Sequence, residues 1–373
     1  MAPIPEHLSA LRPLIDAELS ACHQSLTSSY DHLPWVREEF IDAIGALLQG
    51  GKRMRGLLCA VGYANCSAGD DYLSALSQQA PLMMAAAIEM YQASALVHDD
   101  VMDGALTRRG LPAFHIHAST LHTEKHLAGQ SDSFGSDAAI LSGDLLLSRA
   151  HVLASQAITH CDSPETGMEA LHAFASMTEE VAVGQYLDVR NQVEPEGDPR
   201  DMLKQALHIA VYKSARYSVT RPIMIGMALG GYRLSSVTAA DDVMSCLDPL
   251  GIAFQLRDDD LGVFGNPEQT GKPAGDDIRE GKRTALLALT LARLHPDQRF
   301  DVMSVVGDRA ASENSVMDVR TLIEQCGARQ AHEDLIESYV TQAREAIEAN
   351  SVFISPVKSD LLALTDALTS RQF

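Results

Sequence analysis

The sequence predicts an all-α protein, and three observations carry that expectation. Apolar residues recur at helical spacing through almost every periodic segment, those segments are too long for strands, and alternating β-branched runs are few. With 373 residues, 46% hydrophobic and 21% charged, the chain is long enough for one large core or two domains. No repeat of 20 to 50 residues is visible. The formal charge of −21 argues against a general nucleic-acid-binding surface, yet it leaves room for a locally positive site that takes an anionic substrate. Six cysteines without Cys-x-x-Cys or framework spacing read as buried thiols of a reducing compartment. No signal segment and no run of 18 apolar residues is found; the nearest, Pro81 to Val97, is interrupted by Glu89, Gln92 and Ser94. The expected location is the cytoplasm, with no transmembrane segment.

In chain order, residues 1–35 read as an N-terminal helix and loop, with Trp35 a packing residue. A helix from about Glu38 ends at Gly50-Gly51, where glycine permits a sharp turn. Lys52 and Arg55 follow three apart, expected on the next helical turn and able to converge on one anion. The pairs Asp70-Asp71 and Asp241-Asp242 sit where helices should begin, and are read as caps. Pro81 opens the helix that ends in Ala95-Leu-Val-His-Asp-Asp-Val-Met-Asp-Gly104. Beyond it lies Arg108-Arg109-Gly110, two planar guanidiniums suited to anionic groups. The stretch from about Glu124 to Ser136 reads as a surface loop, and His115, His117, His122 and His126 nearby lack the fixed spacing of a metal site. Gly143-Asp144 is expected to begin another helix. Gln185 and Asp188 place polar groups inside an otherwise apolar one, and Asn191 to Arg200 is a loop. Lys213 lies between apolar neighbours and would need an anion if it pointed inward. From about Thr284 onward helices close the bundle, with a loop near Ser351 to Val357.

The chemistry gathers at two aspartate clusters. Asp99, Asp100 and Asp103, and later Gln255 with Asp258, Asp259 and Asp260, lie at the downstream ends of long apolar helices. Carboxylates are disfavoured there, because the helix dipole and the last free carbonyls are already negative, so a cation is needed to neutralise them. Asp99 and Asp103, four apart, share a face. Hard oxygen donors without His or Cys point to Mg²⁺, which keeps coordination positions for phosphate oxygens. The glycine-spaced loop carrying Lys272 and Lys282 could fold over a bound phosphate, although its spacing is not that of a Walker loop.

Gly50-Gly-Lys-Arg-Met-Arg55, Asp99-Asp-Val-Met-Asp103, Arg108-Arg109-Gly110, Gly184-Gln185, Lys213-Ser214 and Phe254-Gln-Leu-Arg-Asp-Asp259 together resemble the trans-prenyl diphosphate synthases, in wording the bacterial geranylgeranyl diphosphate synthases. The resemblance covers roughly residues 40 to 285 of a single domain, 1–373. It implies a bundle of about ten or more helices around a deep cavity, usually a homodimer, that condenses isopentenyl diphosphate with dimethylallyl, geranyl or farnesyl diphosphate. It further implies three Mg²⁺ ions on Asp99, Asp103 and Asp258, with Asp100 and Asp259 in support. Arg108, Lys213, Ser214, Gln255, Lys272 and Lys282 would attend the allylic diphosphate; Lys52, Arg55, Gln92 and Arg109 the isopentenyl one.

Three departures stand out. Gly262 occupies the usual fifth-position Asp of the second motif, with Asp260 extra; Gly56 replaces a common Pro; Ser214 replaces a Thr but keeps the hydroxyl. On the first Asp helix, Ala95, Tyr91 and Ser94 lie at roughly 40°, 80° and 140° from Asp99, at about 5.4 Å per turn. Small residues at 94 and 95 leave room for a growing chain, Tyr91 is the expected floor, and geranylgeranyl diphosphate (C20) is the expected main product. A class I terpene cyclase would not need the second cationic set. A regulatory subunit of a heteromeric synthase would be free to lose the carboxylates that this chain keeps.

Overall fold

The computed structural model describes residues 3–67, 69, 71–234, 236–266 and 274–369. The chain forms two compact units, one of residues 5–175 and 222–236, the other of 1–4, 176–221 and 237–373.

In the first unit, α1 (Arg12–Ser29), α2 (Asp42–Leu48) and α3 (Met54–Ser67) precede a 25-residue helix, α4 (Gln79–Asp103). Met84 to Ile88, Met90 and Val97 of α4 are all buried, as expected of a helix that is apolar around most of its circumference. Among the described residues it is the one helix long and apolar enough to cross a membrane, and 78% of its apolar window is buried within the protein. Glu89 breaks that surface but is satisfied inside: 4% exposed, it accepts from the Gly56 N–H at 3.0 Å and faces Arg53 at 3.7 Å. A two-stranded pair follows, β1 (Thr107–Arg108) with β2 (Leu111–Pro112). Then come α5 (Phe114–Glu124), α6 (Ser131–Ala157), α7 (Pro164–Gln192), the first part of which belongs here, and, after a long detour, α9 (Arg221–Leu229). α9 crosses α3 at backbone contact. A Cβ at Gly226 would overlap the Cys59 carbonyl, and one at Gly62 would stand 2.9 Å from the Ile223 carbonyl carbon, so only glycine fits at either position.

The second unit contains the end of α7, α8 (Pro199–Ala210) running into a π-helical stretch Val211–Thr220, and α10 (Val237–Phe264). It continues with α11 (Asp276–Glu280), α12 (Ala285–Leu291), α13 (Pro296–Val305), α14 (Glu313–Gln325), α15 (Ala328–Ala349) and α16 (Ser355–Thr369). Ala215, Ala253, Leu256, Ala285 and Ile336 form one buried cluster; Val263, Ile278, Leu286, Leu291 and Ile323 belong to another. Gly184 of α7 lets the π-helical backbone approach, since a Cβ there would stand 2.6 Å from the Lys213 Cα.

The all-α class holds. Asp71 caps a helix as expected, its carboxylate accepting from the Ser74 N–H at 3.0 Å. Elsewhere the structure corrects the sequence reading. Trp35 is 65% exposed and packs little. The loop expected over Glu124 to Ser136 is confined to Lys125–Gln130, because α6 begins at Ser131, and Gly143-Asp144 lies well inside that helix. Gly135, inside the stretch expected to be loop, is a contact point, where a Cβ would overlap the Ser119 hydroxyl and the His115 carbonyl of α5.

Candidate active site

The first aspartate cluster closes α4. Gly104, in the left-handed region at φ 61°, terminates the helix, and the Ala105 N–H donates to the Asp100 carbonyl at 2.9 Å. Asp100 and Asp103 are buried. The turn brings Arg108 back onto the cluster: its Nε donates to Asp100 Oδ1 at 2.9 Å, its Nη2 also bonds Asp100, and Asp99 lies 3.5 Å from it. The guanidinium offsets charge that the helix end alone would not tolerate.

Arg109 points to a different set of groups. Itself in the left-handed region at φ 54°, it donates from Nη1 to the Gln49 carbonyl at 3.3 Å, and its guanidinium would stand 3.4 Å from a Cβ on Gly51. Desolvation first, and then the positive charges of Arg53, Arg108 and Arg55, push it below the ordinary arginine range, with Glu89 opposing. Gln92 joins this group: oriented to satisfy both neighbours, its amide donates to Glu89 at 3.2 Å and accepts from Arg55 Nη1 at 3.0 Å. Lys52 is exposed and precedes α3, which starts at Met54, so Lys52 and Arg55 do not share a helical turn. The break is Arg53, at φ 56°, whose buried guanidinium bonds Asp16 at 2.7 Å and the Leu48 carbonyl at 2.5 Å. Sequence reading passed over Arg53, which holds the loop in shape; the buried Glu89 was the available clue.

Around the chain-length positions, Tyr91 is buried with its ring edge-on to Phe174, the centroids 6.4 Å apart. Ser94 is buried and donates to the Gly143 carbonyl of α6 at 2.7 Å, and Ala95 is half-buried. Among the described residues the histidines of α5 form no metal cluster, and His122 lies 3.3 Å from the Ala128 carbonyl.

In the second unit, Gln255 donates to Asp259 at 2.8 Å, one turn on along α10, and Asp258 beside it is exposed. Desolvation, then the negative charges of Asp277 and Asp258, hold Asp259 well above the carboxylate range, against the Gln255 hydrogen bond and Lys282. Lys282 bridges Asp277 at 3.5 Å and Glu280 at 2.6 Å. Lys213 meets Asp188 at 2.5 Å, which gives it the anion its apolar surroundings require, and Ser214 beside it is half-buried. π-Helical stretches are frequent at functional sites, and this one sets Lys213 opposite α7 in a way that a 3.6-residue period does not predict. Asp260 is committed elsewhere: 3% exposed, it accepts from Arg329 Nε at 3.1 Å and Nη2 at 3.3 Å, with Arg257 at 4.0 Å. Lys272 lies outside the described residues.

Among the described residues no three His, Cys, Asp or Glu side chains form a ready-made metal cage. The donors that are present are carboxylate oxygens at a helix C-terminus, which fits a hard cation completed by water and phosphate rather than a protein-enclosed ion.

An all-helical fold with aspartates at two helix ends, flanked by a divergent guanidinium pair, is that of an isoprenoid synthase. The polyprenyl synthetase profile matches residues 37–323, and the chain belongs to that family and is a prenyltransferase. It is 30% identical over 298 residues to the geranylgeranyl diphosphate synthase of Sulfolobus acidocaldarius, covering 80% of each chain. It is 30% identical over 329 residues to the geranylfarnesyl diphosphate synthase of Aeropyrum pernix, covering 86% of this chain and 91% of the relative. Among solved structures it is similar to the Corynebacterium glutamicum geranylgeranyl pyrophosphate synthase crystallised with isoprenyl diphosphate and magnesium, with a TM-score of 0.85 and 29% identity, covering 98% of this chain and 99% of that one.

Proposed function

We propose that the protein condenses isopentenyl diphosphate head-to-tail with allylic diphosphates, with geranylgeranyl diphosphate as main product. The observation that carries this reading is the divergence of Arg108 and Arg109: adjacent in sequence, one serves the Asp99–Asp100 carboxylates and the other the Gln49–Gly51 loop beside Arg55 and Gln92. Two diphosphates need two such handles, whereas a cyclase needs one.

Asp99 and Asp103 would hold Mg²⁺ together with Asp258, three ions when substrate is bound, and Asp100 and Asp259 would support them. When bound, Mg²⁺ supplies Lewis-acid charge that stabilises the departing pyrophosphate and lowers the barrier to ionisation. Arg108, Lys213, Lys272 and Lys282 add positive charge on the allylic side, where Ser214 and Gln255 hydrogen-bond. Lys52, Arg55, Gln92 and Arg109 orient isopentenyl diphosphate so that its double bond meets the allylic cation, and the proton lost to re-form the double bond passes to the released pyrophosphate. Apolar walls exclude water that would quench that cation. Tyr91, backed by Phe174, is the assigned floor, and the small side chains of Ser94 and Ala95 are the ones assigned to permit growth past C15. The whole chain acts as one prenyl synthase domain, as a homodimer in the cytoplasm; six free thiols and the exposed Ile140 and Leu141 of α6 support those assignments.

Purified protein with Mg²⁺, radiolabelled isopentenyl diphosphate and dimethylallyl, geranyl or farnesyl diphosphate in turn tests the reading. A Mg²⁺-dependent C20 product is expected. A C15 or longer product would overturn the chain-length assignment alone, and no incorporation with any primer would overturn the activity.

A further inference from the structure

The π-helical stretch Val211–Thr220 packs against both α7 and α10, and each of those helices meets it with a face built in the same order. On α7, Glu180, Gly184 and Asp188 stand one turn apart; on α10, Asp248, Gly251 and Gln255 do. In both series a carboxylate comes first, then a glycine, then a side chain of the candidate site. The glycines set the spacing. A Cβ at Gly184 would stand 2.4 Å from the Lys213 amide nitrogen and 2.6 Å from its Cα, and one at Gly251 would stand 2.5 Å from the Ala215 carbonyl oxygen. Those are backbone atoms, which have no rotamer by which to yield. Bare backbone on two sides allows close approach but offers little resistance to rotation, and the carboxylates supply it. Arg221 donates to Glu180 from Nε at 2.7 Å and from Nη2 at 2.5 Å, and the Thr220 hydroxyl donates to Asp248 at 2.8 Å. Arg216 joins the two carboxylates: its Nε donates to Asp248 at 3.0 Å and its Nη1 lies 3.5 Å from Glu180. The same guanidinium covers the ring of Tyr212, the neighbour of Lys213, at 5.2 Å. These four charged side chains are at most 20% exposed, so solvent screens them little.

We propose that Arg216 is a positioning residue for the allylic diphosphate: by bridging α7 and α10 it fixes the rotation of the π-helical stretch and so aims Lys213. This rests on the diphosphate-binding reading above. Without Arg216 each carboxylate keeps a partner, Glu180 in Arg221 and Asp248 in Thr220, so the bridge is lost while the packing around it is retained.

The test uses the full-length protein with Mg²⁺ and inorganic pyrophosphate, read by isothermal titration, with circular dichroism of each variant to establish that it is folded. Arg216→Gln should weaken Mg²⁺-dependent pyrophosphate binding by about tenfold, within the usual coupling between members of one ion-pair network. Asp248→Asn, close to isosteric, should weaken it in the same direction by cutting the bridge from the α10 side. In a Lys213→Ala background, Arg216→Gln should change binding by less than about twofold, because the side chain that it aims is gone; a purely structural role for Arg216 would leave its cost undiminished there. Unchanged binding in either single variant, or an equal loss with and without Lys213, would overturn the assignment. Absence of Mg²⁺-dependent pyrophosphate binding by the unaltered chain would overturn the diphosphate site itself, and this inference with it.

Discussion

At the scale of single residues, Tyr91 carries the specificity argument. Its ring is braced edge-on by Phe174, which in turn packs on His151 with centroids 5.3 Å apart, so the ring is held in place by a second ring behind it. Tyr91→Ala should shift products beyond C20, measured by chain-length analysis of the dephosphorylated alcohols; an unchanged distribution would remove Tyr91 as the floor. His332 carries a separate prediction about stability. It is fully buried, neither ring nitrogen has a hydrogen-bond partner among the described residues, and desolvation lowers its pKa from 6.5 to about 4, with Asp260 and Glu333 opposing and Arg257 and Arg329 assisting. A His held neutral in the fold contributes stability that is intact above 6.5 and is lost as pH falls toward 4, because the unfolded chain takes up the proton first. His332→Leu should therefore flatten the pH dependence of the unfolding free energy over that interval, measured by denaturant titration at stepped pH; an unaltered slope would contradict the assignment. The aspartates of the first motif were legible in the sequence because their position at a helix end breaks a strong electrostatic rule. Asp260 was not, since its selection of Arg329 over the motif depends on a partner 69 residues away.

Among the elements, the helices were legible where periodicity is long and unbroken, as in Gln79–Asp103. They were misread where glycine marks contact instead of a turn. Gly135 looked like part of a loop because, from sequence alone, a glycine at a helix crossing and one in a turn are the same letter. The π-helical Val211–Thr220, whose backbone lies close against Gly184, was likewise invisible, since its wider hydrogen-bonding pattern leaves no local composition signal. The α3–α9 crossing gives the test at this scale. Gly226→Ala forces a methyl into the Cys59 carbonyl and should cost roughly 1 to 3 kcal/mol, the usual range for overpacking. It would appear as a lower denaturation midpoint; a stability equal to the parent would mean that the two helices are free to part.

For the molecule as a whole, the acidic balance and the internal α4 were readable from composition, whereas the division into two units was not, because each of them is assembled from separated stretches. The exposed Ile140 and Leu141 on α6 are the surface proposed to meet a second copy. Leu141→Asp should yield monomer in light scattering while circular dichroism keeps its helical signal, and a retained dimer would place the interface elsewhere.

The interruption of the first unit also dictates an order of events during synthesis. The Gly62 and Gly226 surfaces that lock α3 to α9 are roughly 160 residues apart in the chain. When residues 5–175 have left the ribosome, that unit still lacks the helix that covers the glycine face of α3, and the chain must first produce Ser176–Arg221 of the other unit. A nascent chain halted in that stretch carries an open groove beside Cys59, which is where a chaperone's hold would matter most.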